Sequence, residues 1–194
     1  DLAKLFIGSL GTLGVITELT FRVSPRPESS ASFVAAGPLA RCAQFAKEVS
    51  DSPLLPAALV VDGASDDREG RAVVWVDGFE EALARHLRDL GSIAARCGVA
   101  GDALRDAAHE RLWQEICAFG WSEAGLLCRI VIPIGTVGKV VTELAAANAS
   151  PGRVRYAAHA ATGTIWAVLS NAESYAKLAA IAREHAGHAI VVAA

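Results

Sequence analysis

Gly8, Gly11 and Gly14 recur at every third position, with the hydroxyl side chains of Ser9 and Thr12 between them. Glycine lacks the Cβ that holds other backbones away, so main-chain N–H groups in such a segment can approach a phosphate or a flat ring closely. Ser9 and Thr12 add hydroxyl donors to the same loop. The β-branched run Val15–Val23 follows at once and reads as a strand, which would hold the loop rigidly. A Rossmann fingerprint is excluded, because there a helix and not a strand follows the glycines. A Walker loop is excluded too, since no Gly-Lys-Ser/Thr occurs. Taken alone, the spacing is also that of an ordinary glycine-rich turn.

Three further polar residues occupy positions from which chemistry is possible. Arg129 lies in the apolar run Leu126–Ile132, where alternation sets it opposite Cys128 and Ile130. His188 stands just before the last strand-like run, and His159 ends another. For each a bland reading exists: a solvated or salt-bridged strand arginine, and histidines that cap a helix end or bond within a turn. His86, His109 and His185 read as solvated residues on polar helix faces. No histidine pair has zinc spacing, and Cys42, Cys97, Cys117 and Cys128 are scattered without a C-x-x-C pair, so no metal site is expected.

The elements that would position these residues fall into two rounds. After Pro25-Arg-Pro-Glu-Ser-Ser30, which reads as a linker, come a strand (32–36), a helix (39–49), two strands (57–61 and 72–76) around a charged turn centred on Asp66–Glu69, and a long helix (79–97). An extra helix is expected over 103–119, with Asp102–Arg111 as its charged face and Trp113 as packing. The second round follows: strand 126–132, helix 137–147, strands 154–159 and 164–169, helix 172–185 and a closing strand 189–192. Trp75 and Trp166 fall in the corresponding third strands. Each round reads strand–helix–strand–strand–helix and the second adds a closing strand, which is the ferredoxin-like βαββαβ order, so two such units side by side are expected. The predicted fold is α+β, one mostly antiparallel sheet with helices on one face.

The chain has 194 residues, 53% of them hydrophobic and 20% charged, with a net charge of −3. That composition belongs to a well-buried globular protein and carries no basic excess that would point to nucleic acid. No apolar run is long enough for a membrane span. Scattered cysteines without a disulfide framework fit a cytoplasmic protein. With no methionine and a first residue of Asp1, the sequence reads as a piece of a longer chain.

The whole opening string, Asp1-Leu-Ala-Lys-Leu-Phe-Ile-Gly-Ser-Leu-Gly-Thr-Leu-Gly-Val-Ile-Thr-Glu-Leu-Thr-Phe-Arg-Val-Ser-Pro-Arg-Pro27, closely resembles the end of the FAD-binding domain in the vanillyl-alcohol oxidase/p-cresol methylhydroxylase superfamily. There a Gly-Ser-x-Gly-Thr-Leu-Gly run leads into two hydrophobic residues, Thr-Glu, a strand and an x-Pro-x-Pro end. The tail Arg183-Glu-His-Ala-Gly-His-Ala189 is similar to an R-x-x-G-G-H-A segment in the FAD-binding subunit of bacterial glycolate oxidase, with Ala186 in place of a glycine. The resemblance implies that residues 1–27 close an FAD-binding domain and residues 28–194 form the cap over the substrate. It implies FAD contacts, largely through backbone, at Gly8, Ser9, Gly11, Thr12, Gly14, Val15 and Ile16. The other flavin-binding elements of that family are expected outside residues 1–194, so this chain alone is not expected to hold FAD tightly.

Function follows as a further implication. The resemblance points to oxidation of a small 2-hydroxy acid such as glycolate, with hydride passing to flavin N5. Arg129, on a cap face turned to the flavin, would pair with the substrate carboxylate. His188 would take the hydroxyl proton, with His159 of similar standing. Electrons would leave through an iron–sulfur partner subunit. The competing reading is a non-enzymatic ferredoxin-like module for binding or dimerisation.

Overall fold

The computed structural model describes residues 2–9, 11–23, 25–64, 69–121, 123–146 and 154–194. Asp1, Leu10, Ser24, the turn residues Asp66 to Arg68 and the end of the predicted helix at Ala147 lie outside them. The core is one antiparallel sheet of eight strands with two helical layers of unequal size. The first unit comprises β1 (Ser29–Pro38), α2 (Leu39–Asp51), β2 (Ala58–Ala64), β3 (Glu69–Gly78), α3 (Glu80–Cys97) and β4 (Ala100–Arg105). The second comprises β5 (Leu126–Val131), α5 (Val137–Ala146), β6 (Arg155–His159), β7 (Thr164–Leu169), α6 (Ala172–Glu184) and β8 (His188–Ala193). A five-residue helix α1 (Leu2–Phe6) precedes them, and α4 (Asp106–Cys117) stands between the two units.

The strand order is β4-β1-β3-β2-β6-β7-β5-β8. Each unit thus has the same internal order, and the two are joined through their second strands. β2 and β6 pair antiparallel from Val60 opposite His159 to Ala64 opposite Arg155. Alternation sends Leu59, Val61, Val74, Cys128, Ile130, Tyr156 and Ile165 to one face, where they meet Phe45, Leu83, Leu90, Val140 and Leu178 of α2, α3, α5 and α6. Local signals set the helix ends. Gly98 takes the left-handed conformation (φ 67°) and closes α3, and the Asn171 side chain accepts the Ser174 N–H at 2.9 Å to start α6.

Three predicted features differ. The first unit has its own closing strand, β4, where sequence reads the start of a helix. Ala-Gly-Asp-Ala-Leu-Arg contains no β-branched residue, and its edge position leaves nearly every side chain exposed, so the strand carries no hydrophobic signature. Asp102 is therefore a strand residue, and the helix begins at Asp106, which sits at φ 51°. The segment Val15–Val23 is not a strand. No described strand lies beside it, and a lone strand cannot satisfy its N–H and C=O groups by pairing. Its apolar side chains stay in solvent, with Val15 87% and Phe21 76% exposed.

The third difference is α4 itself. It lies on the sheet face opposite the other long helices, where Leu112, Trp113 and Ile116 pack on Val60, Val73 and Ala157. Burying Leu112 and Ile116 alone contributes about 1.5–3 kcal/mol each. His109 shares that stripe at i, i+3, i+4 and i+7, so it is buried at 6% exposure rather than solvated. Its Nδ1 lies 2.8 Å from the Ser32 Oγ, which also accepts the Trp113 Nε1–H at 2.8 Å. The Trp75 ring packs 5.0 Å from both His109 and Trp113. His185 is not free either: it bonds Glu143 at 2.8 Å.

Ser32 is therefore a polar pin between α4 and β1. Ser32→Ala strands two buried partners and is expected to cost about 1–3 kcal/mol in urea denaturation; a change within error would show that α4 docks without the pin. Burial holds the His109 imidazole below its ordinary value against the opposing charge of Glu110, and burial lowers His159 likewise. Both bind fewer protons folded than unfolded. Their stability is complete above the ordinary histidine value of about 6.5 and is lost as pH falls from there through the depressed folded values. Thermal midpoints should drop as pH is lowered below about 6.5, and His109→Gln should flatten that slope.

Candidate functional site

α4 closes the second sheet face over the first unit and as far as Ala157 of β6, and leaves it open over the rest of the second unit. The register aligns two rows of side chains there. One row runs Asp62, Ala157, Trp166, Arg129, Ile190 across β2, β6, β7, β5 and β8. The adjacent row runs Val60, His159, Thr164, Val131, His188. Residues directly opposite stand about 4.5–5.5 Å apart at Cβ, and diagonal ones about 7–8 Å. Arg129 thus has Trp166 and Ile190 on either side and Thr164 and His188 on its diagonals.

Two walls bound this floor. α4 stands over Val60 and Ala157 on the first-unit side. At one end, the turn after α4 crosses the sheet at Leu127 and Val168. Gly120 sits there at φ 80°, and a Cβ on it would meet Leu127 Cδ1 at 2.4 Å. The turn delivers Trp121 against Trp166, with ring centroids 6.5 Å apart and planes at 48°. Between the walls Trp166, Thr164, Val131 and His159 are half-buried and Arg129 is exposed.

Charge is unevenly committed around the floor. Arg71 is gripped by Asp62, both of whose oxygens lie 2.9 Å from its Nε, and by Glu115 at 2.9 Å. Burial pushes the Asp62 carboxyl above its ordinary value against the pull of Arg71. Arg155 is paired with Glu123 at 2.6 Å and lies 5.3 Å from the Phe119 ring centre. These groups line a cavity of about 410 Å³ beside α4. Arg129 has no ion pair or side-chain hydrogen bond among the described residues. A half-buried, neutral His159 lies two strands from it. A larger cavity of about 590 Å³ lies on the other face between α2 and α5, over Ala43, Val61, Val137 and Val141. Its rim charges Lys47 and Asp51 are paired with each other.

The structure brings Arg129, His159 and His188 onto one face, and it leaves the glycine segment apart from them. Gly8 and Gly11 take φ 82° and 78°, with open space where a Cβ would project. The Thr12 hydroxyl is turned inward and donates to the Ser9 carbonyl at 2.7 Å. Gly14 lies against the Phe6 ring. Every described residue from Gly11 to Glu28, Val15 and Ile16 included, is exposed. Sequence reasoning missed Trp121 as a neighbour of Trp166 and Thr164 as a diagonal neighbour of Arg129. Thr164 carried a legible signal, since it alternates with Trp166. Trp121 did not, because only the fold shows where the turn after α4 lands. Among the described residues no group of three or more His, Cys, Asp or Glu side chains is placed to hold a metal ion, and no helix is long and apolar enough to cross a membrane.

No protein-family description matches this sequence, and no curated protein does. Solved structures do. Two structures of alkyldihydroxyacetonephosphate synthase superpose with TM-scores of 0.60 and 0.59 at 12% and 13% identity. They cover 94% and 96% of this chain, which in turn spans only 45% of each of theirs. A VAO-type flavoprotein from Myceliophthora thermophila superposes loosely, with a TM-score of 0.41 at 15% identity over 80% of this chain and 37% of its own. At these identities the likeness to the synthase structures shows a shared fold.

The placement of His188 depends on one strained residue. Ala186 sits at φ 56°, and Gly187 lies so close to the Val131 carbonyl that a Cβ would meet it at 2.3 Å. Together they turn the chain from α6 into β8. A left-handed L-residue costs about 1–2 kcal/mol, and glycine's extra unfolded entropy returns about half of that. Ala186→Gly should therefore stabilise by about 0.5–1 kcal/mol in thermal or urea unfolding. A loss of stability would contradict the left-handed turn.

Proposed function

We propose that this chain is part of an FAD-dependent oxidoreductase acting on a 2-hydroxy acid, with residues 1–27 closing the FAD-binding domain and residues 28–194 forming the cap over the substrate. The observation that carries the reading is Arg129, a guanidinium with no ion pair among the described residues, on an open sheet face with His188 on its diagonal. The likeness in fold to alkyldihydroxyacetonephosphate synthase supports the architecture, and the residue pattern of the opening segment supports the cofactor.

The glycine segment fits FAD. Gly8 and Gly11 hold left-handed conformations in open surroundings, so their main chain is reachable by a phosphate or a ring edge. On this reading Gly14, Val15, Ile16 and the Ser9 hydroxyl would extend the contact. When bound, FAD supplies the hydride acceptor at flavin N5. The chain's own residues do the rest. Arg129 holds the substrate carboxylate through its planar fork, which fixes C2 over the floor. An imidazole nitrogen of His188 takes the hydroxyl proton as the C2–H pair of electrons leaves, and the product is the 2-oxo acid. α4 and the turn at Gly120 would bound the substrate on two sides.

Glycolate is the smallest acid of this class. Onward transfer of electrons to an iron–sulfur partner subunit belongs to the same reading, supported by the tail Arg183–Ala189. All four cysteines are free, which suits a reducing, cytoplasmic setting.

Arg129→Lys replaces a planar fork by a point charge. In the FAD-loaded full-length protein it should raise KM for the acid about tenfold or lower kcat, with flavin content unchanged; unaltered kinetics would remove Arg129 from the site.

A further inference from the structure

Trp121 is placed unlike the other tryptophans beside α4. Trp113 is buried, and it and Trp75 pack around His109 in the α4 docking. Trp121 is 64% exposed and belongs to neither hydrophobic cluster. Its position is nevertheless well defined. The Trp121 N–H bonds the Ala118 carbonyl at 3.2 Å, and Gly120 beneath it is wedged between Leu127 and Val168. The turn thus holds a large apolar ring over the sheet without covering it. Trp166 supplies a second wall from below, tilted at 48° and half-buried. The two rings form an apolar notch, and Trp166 is the direct cross-strand neighbour of Arg129.

Resting on the oxidoreductase reading above, we propose that this notch takes the side chain of the substrate, and that the acid is an aryl-substituted or similarly bulky 2-hydroxy acid rather than glycolate. Charge and shape both favour this occupant. Arg129 is the anion-binding group, and one strand spacing, about 4.8 Å, separates its strand from that of Trp166. A carboxylate on Arg129 with a side chain one or two carbons long spans that interval. Aromatic rings pair at centroid separations of about 4.5–7 Å in tilted or offset geometry, which the open side of the notch offers to a third ring. Glycolate has only hydrogen at the position that would enter the notch, so both rings would stay wet.

The test uses indole N–H signals of the 194-residue chain, whose four tryptophans can be assigned one by one. The probes are 3-phenyllactate, glycolate and the neutral 3-phenylpropan-1-ol. Phenyllactate should shift the Trp121 and Trp166 signals saturably, at least about tenfold tighter than either control, and leave Trp75 and Trp113 in place. Trp121→Ala, at an exposed side chain that the fold does not use, should weaken phenyllactate about fivefold or more and leave glycolate unchanged. Arg129→Ala should weaken both acids. Equal affinity for glycolate and phenyllactate, no effect of Trp121→Ala, or riboflavin shifting these two signals while phenyllactate does not would each overturn the notch. Turnover by the FAD-loaded full-length protein separates this from the parent reading. Glycolate reducing the flavin faster than phenyllactate would sink the notch and keep the oxidoreductase. Phenyllactate that fills the notch yet never reduces the flavin would support the notch as a binding site and sink the oxidoreductase.

Discussion

The ladder between β2 and β6, from Val60 opposite His159 to Ala64 opposite Arg155, joins two four-stranded units into one sheet. It links the second strand of each unit, so the two edges that would otherwise be the most exposed become the centre. Backbone groups there are paired on both sides, and the strands are buried on both faces. Val60 and Val61 are at 0% and 2% exposure although they point in opposite directions. Because side-chain direction has a period of two, this register also dictates which residues share the second face. A slip by one residue would send His159 and Arg155 into the helical core and bring Tyr156 and Ala158 out.

From that junction the asymmetry of the molecule follows. Both units carry two helices on one face, and a single helix, α4, covers the second face of the first unit and reaches the second unit at Ala157 of β6. The Ser32–His109–Trp113 pin and the apolar stripe of α4 hold it there. The second unit keeps a floor with polar groups at intervals, and the turn leaving α4 supplies a wall for it. One inserted helix thereby completes the core of one half and shapes a concave surface on the other. A sheet face with two histidines, a tryptophan and an arginine that has no ion pair among the described residues is a poor stabiliser of the fold.

Two groups of residues stand apart: the glycine segment and the sheet face. The first is exposed along most of its length, including apolar residues that a folded chain ordinarily covers, and the second presents the Arg129 guanidinium to open space. The proposed oxidoreductase would seat its cofactor against one and its substrate against the other. The fold shared with alkyldihydroxyacetonephosphate synthase extends over most of this chain and less than half of theirs.

The order of the other elements, the two-round pattern, the alternation that sets Arg129 opposite Cys128 and Ile130, and the backbone-freeing glycines were legible in the sequence, because periodicity and backbone freedom are local properties. Strand β4 was not, since an edge strand with little to bury has no pattern to show. Nor was the place of α4: its stripe of His109, Leu112, Trp113 and Ile116 says that one face is covered, but not which sheet face does the covering. The same limit applied to the polar residues. Sequence marked Arg129, His159 and His188 separately, and only the β5–β7, β6–β7 and β5–β8 registers set them on one floor beside Trp166. For Val15–Val23 the local signal pointed to a strand and the tertiary structure did not form one. A β-branched run specifies a preference, and a strand exists only where another chain segment accepts its hydrogen bonds.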